Sequence, residues 1–334
     1  MAITLTAAAD DNGRRLDRIL RKALPDMPLS AIHSLLRKGR VLVDGVPENG
    51  ACRVRSGSAI QIPLGRGDAV SVVPAEKQET PNRAPNWDLP KLHILWEDAD
   101  FLILNKPAGL AVHGSDRGSG NSLETLARAY LAPKLPPSLS FKPGPLHRLD
   151  RPTSGIIVFS KSLEGARGFR SLLREKRVRK TYLALLEGIL DRDETWEDIL
   201  IRDRDLGKSF VSPGPASGEA PREARTRVRP LARNAAASAA GVTLARLEPD
   251  TGRTHQIRVQ AAAHGHPLAG DRKYGGAAQG GGFLLHAHSL ELPGQTLPGL
   301  PRRLEAPLPD YFRKRIEELF GVPPWAPDGF TGTH

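Results

Sequence analysis

The sequence holds a single cysteine, Cys52, in 334 residues. One thiol cannot close an intrachain disulfide, so the fold is not stapled in that way and a reducing compartment, the cytoplasm, is expected. Long apolar runs are missing too, and no stretch approaches the roughly 20 residues that a membrane-spanning helix needs. The opening MAITLTAAADD lacks the basic start, apolar stretch and cleavage site of a secretory leader, which points to a soluble, untargeted protein. No internal repeat is visible. Acidic residues are short: 37 Asp and Glu stand against 48 Lys and Arg, a formal charge of +11. That excess suits a polyanionic partner, since neutralised phosphates release condensed counterions. A generally basic proteome would leave the same mark.

The chain is long enough for two domains. Within residues 13–62, GRRLDRILRKAL and LSAIHSLLRKG read as two short amphipathic helices, with Leu16, Ile19 and Leu20 on one face and Ile32, Leu35 and Leu36 on another. RVLVDGVP alternates and turns at Asp44-Gly45, and AIQIP adds a strand. Basic residues outnumber acids here, and Arg14, Arg15, Arg18, Arg37, Lys38 and Arg40 fall on or beside the two helices. A solvated helix face and a phosphate-tracking surface both fit that pattern. The division expected is a small α/β module over 1–65, a proline-rich linker over 66–91, a mixed α+β body over 92–320 and a tail over 321–334. In the body, HILWE, FLILN, GIIVFS, TYLALLEG, GVTLARLEP and FLLHAHSLEL read as strands. LEGARGFRSLLREK and RTHQIRVQAAAHG read as helices, while 212–224 and 234–241 read as loop insertions or a hairpin tip.

The segment HRLDRPTSGIIVFSKS (147–162) runs a charged loop straight into an apolar strand. A loop anchored in that way can present Arg148, Asp150 and Arg151 to a ligand. An ordinary Arg-Asp ion-pair loop looks the same, so the physical pattern leaves both open.

HRLD followed by TSG and an apolar strand resembles the catalytic motif of RluA-type pseudouridine synthases. The likeness extends in family order through LNKPAGLAVHG (104–114), KTYLALLEG (180–188), TGRTHQIRV (251–259), AHGHPLAGDRKYG (263–275) and LLHAHSLEL (284–292), and so covers residues 92–310. RRLDRILRKAL with LLRKGRVLVDG is similar to the RNA-binding module named after ribosomal small-subunit protein four. The resemblance implies a pseudouridine synthase fold of the α+β class, with a mixed, largely antiparallel sheet. It also implies an isomerisation in which uracil leaves its glycosidic nitrogen, rotates and rejoins the same ribose through a ring carbon, with no redox cofactor and no metal. Carried over residue by residue, Asp150 is the catalytic carboxylate, as nucleophile or as base. Tyr182 stacks on the target base, and Arg258 pairs with Asp150, keeping it ionised and gripping it with both prongs of its fork. Arg148 fills the space left by the extruded nucleotide. The implied partner is RNA, in particular large-subunit ribosomal RNA or an assembly intermediate, bound by a monomer away from membranes; transfer RNA is the alternative substrate.

Two departures from the family pattern, Gln260 after QIRV and Pro152 after HRLDR, bear on local RNA contacts. Tyr182 also reads as a half-buried strand tyrosine with a satisfied hydroxyl, and Arg258 as a structural ion-pair residue. A metal hydrolase on His264, His266, His286 and His288 is a competing enzyme reading, opposed by spacing: His264 and His266 fall near a helix end, and His286 and His288 share one strand face without a nearby acidic ligand. A non-catalytic RNA-binding or ribosome-assembly protein would keep the scaffold with a damaged motif, and the motif here is whole.

Overall fold

A computed structural model describes residues 2–63, 91–114, 122–135, 138–203, 205–212, 221–277, 282–292, 297 and 299–321. The expected linker, apart from Lys91, and the expected tail beyond Gly321 lie outside the described residues. Among the described residues no helix is long and apolar enough to cross a membrane.

The N-terminal part builds on helices α1 (Leu16–Ala23) and α2 (Leu29–Arg37). Strands β1 (Ala2–Thr6), β3 (Leu42–Val43), β4 (Val46–Pro47) and β6 (Ala59–Pro63) form one sheet in the order β1-β6-β3-β4, and β2 (Arg14–Arg15) pairs with β5 (Arg53–Val54). Leu16, Ile19, Leu20, Ile32 and Leu36 bury against Val41, Val54, Ile60 and Ile62. Each such side chain contributes roughly 1.5–3 kcal/mol of burial. The β3–β4 turn is the one expected: Asp44 and Gly45 both take positive φ (51° and 83°), the geometry of a tight two-residue hairpin. Strand β1, unforeseen in the sequence, completes the sheet by pairing antiparallel with β6 from Ala2 to Thr6.

The body is one large sheet. Its strands are β7 (Ile94–Glu97), β8 (Phe101–Lys106), β9 (Gly144–Pro145), β10 (Ser154–Ser160), β11 (Arg179–Glu187), β12 (Glu194–Asp203), β13 (Lys208–Val211), β14 (Arg222–Asn234), β15 (Val242–Pro249), β16 (Leu285–Glu291) and β17 (Arg303–Glu305). The main path runs β13-β12-β14-β15-β11-β16-β10-β8-β7, and all its pairs are antiparallel except β10 with β16. The α+β class and largely antiparallel sheet expected from the sequence are what the structure has. Strand β10 is buried along its whole length because both of its faces are covered. Ile156 and Val158 pack with Phe169 of helix α4 (Leu163–Arg174), whereas Ile157 and Phe159 pack with Leu123 and Leu131 of helix α3 (Leu123–Leu131). Helix α5 (Gln256–Ala263) lies over Trp196, Val228 and Leu247, and helix α6 (Asp310–Phe320) over Leu185 and Leu244.

Strands β12, β13 and β14 were not foreseen. On β14 the alternation is present, with Ala224, Thr226 and Val228 buried between exposed Arg225, Arg227 and Arg229, but small and polar residues on the buried side mute the apolar signal. Residues 234–241 form the tip between β14 and β15, as expected, while 213–220 lie outside the described residues and 222–224, expected as loop, begin strand β14.

The N-terminal part docks on the body through polar groups. Asp11, fully buried, accepts from the Leu139 amide (3.1 Å) and from the Ser140 hydroxyl. Arg14 Nη1 donates to the Ser140 carbonyl (2.8 Å) and hydroxyl (2.7 Å), and Asp10 accepts from the Leu163 amide (2.9 Å) at the start of α4. Removing a buried carboxylate leaves such donors without an acceptor. Asp11→Ala is expected to cost roughly 2–3 kcal/mol, which denaturant unfolding checks.

Candidate active site

The charged loop 147–153 sits between β9 and β10 and is held from several sides. Leu149 buries beneath it. The Val158 amide donates to His147 Nε2 (3.1 Å), which requires an unprotonated nitrogen there, and burial followed by the Lys180 charge lowers the imidazole to about 3. Behind Asp150, fully buried Lys106 donates its ammonium hydrogens to the carbonyls of Pro107 (2.8 Å), Leu110 (2.8 Å) and Arg151 (3.1 Å). Three acceptors match the three hydrogens of an ammonium. Burial pushes that group down to about 7 while the Asp150 charge pulls it back up. Gly109 and Arg151 add a reciprocal pair, the Gly109 amide to the Arg151 carbonyl and Arg151 Nε to the Gly109 carbonyl, each 2.8 Å. Where β10 leaves the loop, Gly155 has φ 111°, and a Cβ there would overlap the backbone of Ala287 on β16. The glycine of TSG thus lets the only parallel pair of the main path close.

These restraints place Asp150 at a cavity of about 210 Å³ whose walls include Arg148, Tyr182, His255 and Arg258. Arg258 Nη1 donates to Asp150 Oδ2 at 3.1 Å. The expected two-pronged grip is not made on Asp150. The fork of Arg258 closes instead on Asp271, with Nε to Oδ2 at 2.7 Å and Nη2 to Oδ1 at 2.8 Å. Arg258 is 7% exposed and Asp271 2%, so the fork satisfies the more deeply buried carboxylate and only the remaining nitrogen reaches the cavity. Burial opposes the Arg258 charge, yet Asp271 and Asp150 outweigh it and hold the guanidinium above its ordinary pKa. Tyr274 and Phe283 present their rings to the same cation, at 4.9 and 4.4 Å.

Tyr182 stands on β11 directly after a register shift between Thr181 and Tyr182, an irregularity that re-aims a strand side chain. Burial first, then the Asp150 charge, raises its hydroxyl above the ordinary range. Thr153, also on the cavity wall, has a buried hydroxyl without a hydrogen-bond partner among the described residues.

The family model for RNA pseudouridylate synthase matches residues 100–263. The chain is 34% identical over 332 residues, 93% of its length and 94% of the relative's, to the ribosomal large subunit pseudouridine synthase C of Escherichia coli strain K12. The chain belongs to the RNA pseudouridylate synthase family. A Haemophilus ducreyi relative with the same name is 35% identical over 85% of this synthase and 86% of its own length. Among solved structures, human RNA pseudouridylate synthase domain containing 1 aligns with a TM-score of 0.55 at 26% identity, covering 70% of this synthase and 89% of that chain.

The synthase brings Asp150, Tyr182, Arg258 and exposed Arg148 to one cavity. The basic residues named in the N-terminal part divide. Arg14 is spent on Ser140 and Arg15 pairs with Asp17 (2.7 Å), while Arg18, Arg37, Lys38 and Arg40 are exposed. Gln260 does not face RNA: it is fully buried, donates to the Trp196 carbonyl (3.0 Å) and Asp198 (2.7 Å), and accepts from Thr226 (2.6 Å), fastening α5 to β12 and β14. Of the four histidines of the metal reading, His264 meets Asp198, His266 the Glu187 carbonyl, and His286 and His288 share the Ala306 carbonyl, with His286 also on Ser154. Sequence reasoning passed over Lys106, His255, Asp271 and Tyr274, all of which lie inside the family segments quoted from the sequence. Removing one partner of a buried pair strands the other charge, so Asp271→Ala should lower stability by about 3–5 kcal/mol and let Arg258 swing away from Asp150; denaturant unfolding measures the first, and loss of turnover at saturating RNA the second.

Proposed function

We propose that this synthase converts uridine to pseudouridine in large-subunit ribosomal RNA, in the cytoplasm, with Asp150 as its catalytic carboxylate. The observation that carries the reading is the Arg258 to Asp150 contact inside a cavity that also holds Tyr182. The substrate class follows the printed name of the E. coli relative, which matches across both the N-terminal part and the body.

The geometry lends itself to the chemistry in order. A uridine in folded RNA hides its sugar, so the nucleotide has to leave the stack to meet a recessed carboxylate, with unstacking costing a few kcal/mol. Arg148, exposed at the rim, supplies a planar cation for the vacated space. Inside, Arg258 occupies Asp150 Oδ2 and leaves Oδ1 directed at the substrate, whether that oxygen attacks the sugar carbon or takes a sugar proton. The Tyr182 ring offers a face on which the freed uracil stacks while it turns, and its raised hydroxyl pKa keeps it neutral beside the carboxylate. Exposed Arg18, Arg37, Lys38 and Arg40 track phosphates outside the cavity.

Asp150→Asn keeps the shape but removes the charge and proton affinity of the carboxylate. Pseudouridine formation should vanish while RNA affinity and thermal unfolding change little; substantial turnover by the pure variant would refute the assignment. Replacing Arg37, Lys38 and Arg40 together by alanine should weaken RNA binding and flatten its salt dependence. Every phosphate left without its cation lowers the log-log slope by about 0.7–0.9, with single-turnover rates at saturation nearly unaltered. Titrations at several salt concentrations decide this, and an unchanged slope would place the RNA elsewhere.

A further inference from the structure

The Asp150 carboxylate has two oxygens, and Arg258 accounts for only one of them. Facing the other is His255, whose Nε2 lies 3.9 Å from Oδ1, longer than a hydrogen bond but within one small movement of it. His255 breaks two local rules at once. It is the N-cap of α5, a place favoured by Ser, Thr, Asp and Asn, yet its side chain caps nothing. Its backbone is left-handed, φ 56° and ψ 21°, a conformation that strains a non-glycine residue. Such strain persists only where surrounding contacts over-determine it, and here they are identifiable. Ser209 on β13 donates its amide to the Tyr274 hydroxyl (3.0 Å) and its hydroxyl to the Thr254 carbonyl (2.9 Å), bracing the residues on both sides of the imidazole. The Tyr274 hydroxyl lies 2.8 Å from His255 Nδ1, with the two rings edge to face.

These linked hydrogen bonds select a tautomer. The Tyr274 oxygen already accepts from Ser209, and its own hydrogen needs an acceptor, for which Nδ1 is in place. Nδ1 is then unprotonated, and the ring hydrogen sits on Nε2, pointing at Asp150.

We propose that His255 is a positioning residue for Asp150, with Tyr274 setting its tautomer so that Nε2–H steers the one carboxylate oxygen that Arg258 leaves free. Arg258 fixes one oxygen firmly; His255 guides the reacting one without occupying it. A ring that gained a proton would turn this guidance into an ion pair and withhold Oδ1 from the substrate. The groups facing the imidazole are Asp150 on the loop, Arg258 on α5, and Asp271, Lys273 and Tyr274 on the segment that follows α5. Burial, the largest influence, lowers the imidazole below its ordinary 6.5, Asp150 opposes this, and Arg258 adds to it, so the neutral form prevails at pH 7.

The inference rests on the proposed role of Asp150, and its test separates the two. In the full-length enzyme, nitrogen-15 NMR of the histidine rings, with the His255 signals assigned through their loss in His255→Gln, should show Nδ1 unprotonated. The His255 titration should move to lower pH in Asp150→Asn, because the carboxylate charge that raises it is gone. A ring protonated on Nδ1, or a titration that ignores the loss of the Asp150 charge, overturns the proposal whatever the enzyme's activity. On substrate, His255→Ala should lower the saturated single-turnover rate by up to roughly 100-fold, the scale of a reacting group misplaced by about 1 Å, with RNA affinity unchanged. His255→Gln, which keeps a neutral donor, should recover most of that rate. The fall in rate expected below pH 6.5 in the unaltered enzyme should shift to lower pH in His255→Gln. An alanine variant with full rate, or an acid limb unmoved by glutamine, overturns the positioning role, whereas an active enzyme with a fully active Asp150→Asn would overturn the reading of Asp150 instead.

Discussion

The guanidinium of Arg258 is a full charge taken out of water, and much of the site is arranged to make that tolerable. Placing an unpaired cation at 7% exposure costs several kcal/mol. Asp271 meets it with both oxygens, and Tyr274 and Phe283 turn their rings toward it. All three of those partners, Asp271, Tyr274 and Phe283, follow α5 in the chain and are tied to the cation. The single nitrogen left over reaches Asp150, so the position of the carboxylate is inherited from a buried pair. A bidentate grip on Asp150 itself would have immobilised both of its oxygens.

The loop carrying Asp150 is fixed by the same need to satisfy buried polar groups. Lys106 has no route to water, and it resolves this by binding three carbonyls that belong to the segment after β8 and to Arg151. His147 stays neutral because its nitrogen is needed as an acceptor by the β10 backbone. Gly155 then lets β10 pass close enough to β16 for a parallel pair to form within an otherwise antiparallel path. Backbone geometry, a buried ammonium and a buried imidazole therefore converge on a stretch of a few residues. Loops restrained in this way supply the precision that positioning catalysis requires.

The N-terminal part is joined to this body by buried polar groups, beside which Leu139 of the body packs on the N-terminal core. Asp11 belongs to one part, yet its acceptor capacity is filled largely by Leu139 and Ser140 of the other, and Arg14 closes the set. Arg14 has a spacing that suits a phosphate contact, but its partners are protein groups. A basic residue on a short helix-rich segment has the same sequence signature whether it faces RNA or a serine carbonyl.

The amphipathic periods of α1 and α2, the Asp44-Gly45 turn, the continuous apolar run of β10 and the family segments with Asp150, Tyr182 and Arg258 in order are all legible in the sequence, because each is a local pattern or a matched motif. Periodicity failed on β14, where arginines alternate with small buried residues, and on β1, whose reason to be a strand is its partner β6. What only the tertiary structure decided is pairing: that Arg258 gives its fork to Asp271 and one nitrogen to Asp150, that Gln260 turns inward, that Lys106 buries, and that Tyr274 meets His255. A side chain's residue type states how many donors or acceptors it must satisfy, while which partners satisfy them depends on separate segments being folded to hydrogen-bonding distance, and that distance is set by packing rather than by spacing along the chain.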